Sequence, residues 1–100
     1  ERPFAEIEIA CRSTGGFAFS AGGTGSGYNN PLTWSIDAQG RLIFVRNRSN
    51  GTIVQRRVWE RIAELGGTLF VLEQVEYPPL PALDTGKPAN LMAYRKISLN

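Results

Sequence analysis

The segment from Thr52 to Leu65, TIVQRRVWERIAEL, runs directly into Gly66-Gly67 and then into TLFVLEQVEY, Thr68 to Tyr77. It admits two foldings, a helix turning into a strand or one long hairpin, and the choice decides the fold class. Read with helical spacing, Val54, Val58, Ile62 and Leu65 make one apolar stripe. Thr52 with Gln55 matches a capping box, whose side chains satisfy the orphan N–H groups of a first turn. Gly66 stands where a left-handed C-cap residue belongs. Read as a strand, the same segment places Arg56 and Glu60 on one face with Val54, Val58 and Ile62. The stripe predicts a helix over 53–65. The β-branched residues Thr52, Ile53, Val54, Val58 and Ile62 are the signal against it.

Around this segment the pattern is that of strands. Glu6 to Arg12 alternates strictly, with Ile7, Ile9 and Cys11 on one side. Phe17 and Phe19 continue the alternation after a turn, and Leu32, Trp34 and Ile36 make the next apolar face. Asp37-Ala38-Gln39-Gly40 is a hairpin turn that leads into RLIFVR, Arg41 to Arg46, apolar enough to be covered on both faces. In Thr68 to Tyr77 the residues Leu69, Val71, Glu73 and Val75 share a parity; the first half reads as buried and the second as exposed. Leu91 to Leu99 reads as a last strand. Two stretches read as loops: the Gly-rich Ala21 to Pro31 and the Pro-rich 78–90.

The expected fold is therefore α+β: one domain over 1–100, with an antiparallel sheet of about five or six strands, curled or partly closed, around one amphipathic helix near 53–65. The alternative is an all-β calycin-like barrel in which 52–64 pair with 67–77 as a long hairpin. At 100 residues the chain can bury a core without metal or disulfide, and Cys11, the single cysteine, reads as a small core residue. No apolar run approaches the ~20 residues of a membrane helix. The chain opens on Glu1 rather than Met and reads as a trimmed or processed chain or a piece of a larger protein.

Histidine is absent from the sequence, which removes the commonest general base and every Ser-His or Cys-His pairing. With one cysteine, thiolate metal sites go too. Asp84-Thr85-Gly86 matches the aspartic-protease triplet in three residues only, late in the chain and within the Pro-rich stretch, and reads as a turn. Gly22 to Gly27 lacks the lysine and following helix of a phosphate-binding loop. The expectation is a protein that is not an enzyme, with no metal and no cofactor.

The strongest functional feature is charge. Arg41, Arg46, Arg48, Arg56, Arg57 and Arg61 fall within 21 residues, opposed there only by Glu60, while the remaining chain is net acidic. Arginine forks onto carboxylates and phosphates and stacks on rings. The sequence thus suggests a non-catalytic interaction module whose basic face, Arg46, Arg48, Arg56, Arg57 and Arg61 with Trp59, takes an acidic protein partner or a nucleic acid. The alternative is a small barrel that binds an apolar ligand or lipid, its interior lined by Phe17, Phe19, Trp34, Phe44 and Phe70.

Overall fold

A computed structural model of the protein describes Phe4 and residues 12–14, 16–80 and 91–98. These residues build eight strands: β1 Arg12–Thr14, β2 Phe17–Ser20, β3 Thr24–Gly27, β4 Asn30–Ile36, β5 Leu42–Asn47, β6 Ile53–Leu65, β7 Thr68–Glu76 and β8 Leu91–Ser98. Each pairs antiparallel with its sequence neighbours in the order β1 to β8, an up-and-down meander. No helix occurs among the described residues.

The meander is curled into a half-barrel, as its ring contacts show. At 4.8 Å between neighbouring strands, a residue on β2 would lie roughly 19 Å from one on β6 in a flat sheet. Yet the rings of Phe17 on β2 and Trp59 on β6 are 6.1 Å apart. The inner face thus carries the core: Phe17, Phe19, Leu32, Trp34, Leu42, Phe44, Trp59, Leu69, Val71 and Ile97, joined by Phe4. Its rings meet edge to face, Phe17–Phe44 at 4.8 Å and Phe44–Trp59 at 5.0 Å, each pair worth about 0.5–1.5 kcal/mol beyond its buried area. The Trp34 indole N–H is shared between the carbonyls of Ser20 and Thr24, each at 3.0 Å, so burying that ring leaves no donor unpaired.

The helix expected over 53–65 is β6, paired with β5 from Ile53 to Trp59 and with β7 from Arg56 to Leu65. The α+β assignment is corrected accordingly: the described fold is all-β, and the barrel alternative fits it. Two physical facts account for the change. Gly66 and Gly67 have φ of +57° and +82°, the paired positive values of a type I′ turn between Leu65 and Thr68. A C-cap needs only one such residue. Further, the centre of the sheet is covered on both faces: Trp59 and Leu42 are fully buried inside, and Val58 and Ile43 are buried outside. A strand enclosed on both sides has no clean alternation to read.

The Gly-rich stretch is not a loop either. Thr24–Gly27 pairs with both β2 and β4 and is glycine-rich because the curled sheet closes tightly there. A Cβ on Gly27 would stand 2.4 Å from the Phe17 ring. The second half of β7, expected to be exposed, is buried at Glu73, Val75 and Glu76. The alternation over Glu6 to Cys11 and the Asp84-Thr85-Gly86 triplet lie outside the described residues.

Candidate functional site

Register places five polar side chains together at one end of the aromatic core. Arg46 is opposite Gln55, Phe44 opposite Arg57, Trp59 opposite Glu73 and Glu73 opposite Ala93. Residues in step across neighbouring strands share a face, so Arg46, Gln55, Arg57, Trp59 and Glu73 all turn inward, as does Arg95 opposite Val71.

Glu73 is the hub. Its Oε2 accepts from Arg57 Nη1 at 2.6 Å, from the Trp59 indole N–H at 2.8 Å and from Arg95 Nη1 at 2.8 Å. Burial pushes the Glu73 carboxyl up. The bonds from Trp59 and Arg57, the Arg57 charge and the Arg95 bond outweigh it, so the group stays ionised below the usual carboxylate range. Arg57 Nε donates to Gln55 Oε1 at 2.9 Å, Gln55 Nε2 donates to the Tyr77 hydroxyl at 3.4 Å, and the Arg57 guanidinium lies 5.2 Å from the Phe17 ring centroid.

Arg46 meets no such carboxylate among the described residues. Its Nη1 reaches only neutral acceptors, the Gly27 carbonyl and Asn30 Oδ1, each at 3.4 Å, and its Nε is buried without a hydrogen-bond partner. Burial, and then the Arg57 charge, hold its pKa below the ordinary guanidinium value. Over it lies Tyr28, ring centroid 5.0 Å from the guanidinium carbon and 5.0 Å from the Phe17 centroid. Tyr28 and Asn29 form the β3–β4 turn with φ of +49° and +65°. A bulky side chain in that region costs about 1–3 kcal/mol and persists where its surroundings hold it.

The residues expected to form a basic face are divided by the fold. Arg57, Arg46 and Arg61 point inward; Arg61 is 7% exposed, with its guanidinium 4.8 Å from the Phe4 ring. Arg56 faces the other side and is buried in an ion pair with Glu76 at 2.5 Å. Arg48 alone of the five is exposed, in the β5–β6 turn. Trp59, expected as an exposed anchor, is at the centre of the core. Of the expected ligand-lining rings, Phe17, Phe19, Trp34 and Phe44 share the inner face, but Phe70 alternates with Leu69 and Val71 and faces outward. There it borders an apolar groove of about 500 Å³ with Ile62, Leu65 and Tyr94.

Sequence reasoning missed Glu73, Arg95, Gln55 and Tyr28. One signal was present: Glu73 shares its parity with Leu69, Val71 and Val75, and a carboxylate on a buried parity requires a cationic or hydrogen-bonding partner. Compared with known proteins, the chain matches no family model, no curated protein and no solved structure.

Proposed function

We propose that the chain is a non-catalytic binding module that holds a small organic anion on the inner face of its half-barrel. The observation that carries this reading is the charge balance at that face: among the described residues, Arg46 and Arg57 from neighbouring strands stand against the carboxylate of Glu73, which Arg95 also contacts. Excess positive charge among low-dielectric walls attracts an anion strongly and is costly while uncompensated. The core rings pack edge to face against one another, which favours an acidic molecule at the polar end over a wholly apolar lipid among the rings. The inward turn of Arg46, Arg57 and Arg61 and the burial of Arg56 favour a small anion over an acidic protein surface or a nucleic acid, either of which needs its cations displayed outward.

Calorimetric titration with phosphate, sulfate and short carboxylates tests the reading. At least one should bind, with affinity lowered roughly tenfold or more by Arg46→Met and unchanged by Arg48→Met, since a charge-assisted bond contributes more than an exposed charge. No binding by any of them, or equal loss in both variants, contradicts it.

A further inference from the structure

The anion site has one donor edge that the protein's own acceptors leave open. Arg57 and Arg95 already share Glu73, whereas the buried Arg46 Nε meets no acceptor and its Nη1 makes only two long contacts to neutral oxygens. The Nε–Nη edge of a guanidinium presents two parallel N–H groups in one plane, the spacing of two carboxylate oxygens. Tyr28 lies against this guanidinium, its ring centroid 5.0 Å from the central carbon. Resting on the reading above, we propose that Arg46 is a receptor for a monocarboxylate, which lies in the guanidinium plane on the Nε–Nη edge after passing Tyr28, the cover of the site.

Three observations select this chemistry. The Tyr28 ring centroid is 5.0 Å from the Arg46 guanidinium carbon, and a planar carboxylate paired with the Nε–Nη edge stays in the guanidinium plane, whereas a tetrahedral oxyanion carries an oxygen out of it. Arg57 is paired with Glu73, whereas Arg46 meets only neutral acceptors among the described residues, so its single charge is matched by one anionic group. Tyr28 is held across the site without a covalent or ion-pair tie. Its ring rests on Phe17 and above Gly16, where a Cβ would come within 3.0 Å of its hydroxyl, and it remains 53% exposed. A half-exposed ring on a left-handed turn can swing aside without breaking any strand pairing, because Tyr28 lies between β3 and β4 and in neither.

The test uses the intact chain and four phenyl-bearing probes: benzoate, benzenesulfonate, phenylphosphonate and benzamide. The arginine Nε–H resonances are followed by NMR in wild type, Arg46→Lys and Tyr28→Gly. Benzoate should shift the Arg46 Nε–H, bind at least about tenfold tighter than benzamide, and lose about tenfold in Arg46→Lys, which keeps the charge but not the fork. Tyr28→Gly accepts the positive φ and should accelerate benzoate association several-fold. Tetrahedral probes binding in place of benzoate would overturn the carboxylate assignment and leave the anion site standing. Benzoate binding with the Arg46 Nε–H unmoved would overturn the role of Arg46, and unchanged kinetics in Tyr28→Gly the role of the cover. Silence from all three anions in wild type would overturn both this inference and the reading it rests on.

Discussion

Glu73 and Gly27 show how single residues set the terms for the inner face. Glu73 is the carboxylate that Arg57 and Arg95 share on the inner face, and its folded pKa lies below its unfolded value. Its contribution is therefore complete above about pH 4.3, the unfolded value, and disappears as pH falls through the lower folded value. Glu73→Gln leaves the buried Arg57 without its carboxylate, so it should destabilise the protein at pH 7 by about 3–5 kcal/mol in urea unfolding. The gap between variant and wild type should narrow at pH 3, where the wild-type carboxyl is nearer neutrality; a constant gap would contradict the network. At Gly27 the constraint is steric. A methyl group there meets the Phe17 ring, whose neighbours Phe44, Trp59 and Tyr28 fix its position. Gly27→Ala should lower stability by about 1–3 kcal/mol, although glycine is otherwise a weak strand residue. An unchanged urea midpoint would show that the ring can move.

At the scale of elements, β6 and β7 illustrate what a sequence can and cannot disclose. Val54, Val58 and Ile62 are separated by four, a distance that suits a helical turn and is also even, so it satisfies a strand equally well. Only Leu65, three residues on, distinguishes the two periods, and Leu65 is 67% exposed and packs in no core. The charges at Arg56 and Glu60 looked incompatible with an apolar strand face, yet Arg56 sits there because Glu76 lies opposite it in register. That partner is 20 residues away and invisible to any local window. The strands with clean alternation, Leu32–Trp34–Ile36 and Leu69–Val71, and the Asp37 turn were legible, because one face or one side chain decides them. In that turn Asp37 Oδ1 accepts from the Gln39 and Arg41 N–H groups. The anion site was legible only as an excess of arginine, since which arginines turn inward depends on register. The Gly66-Gly67 turn carries a prediction of its own. Gly66→Asn should be tolerated, while Gly66→Val, forced to a positive φ, should cost about 1–2 kcal/mol. NMR contacts between Trp59 and both Leu42 and Glu73 would confirm the pairing on either side of β6, and their replacement by i, i+4 contacts would contradict it.

Across the whole molecule, one aromatic cluster joins β2, β4, β5 and β6, and the polar end is built on its edge through Trp59, whose indole N–H reaches Glu73. Stability and site are thus coupled in one residue. Trp59→Phe keeps most of the packing and removes the donor, so it should weaken anion binding with a modest stability loss. Trp59→Ala should cost about 3–5 kcal/mol. Equal stability losses in the two variants would show that the indole N–H, rather than the ring, is the structural element. If an anion is held inside the curl of the sheet by Arg46, as proposed, and not by charges on its surface, a heavy-atom ligand reports its place. Anomalous diffraction from crystals soaked in 4-bromobenzoate locates the bromine directly. A bromine peak is expected on the inner face, with the carboxylate within hydrogen-bonding distance of the Arg46 Nε–Nη edge and the Tyr28 ring displaced. Bromine found only at Arg48, in the outer groove beside Tyr94, or nowhere ordered would contradict it.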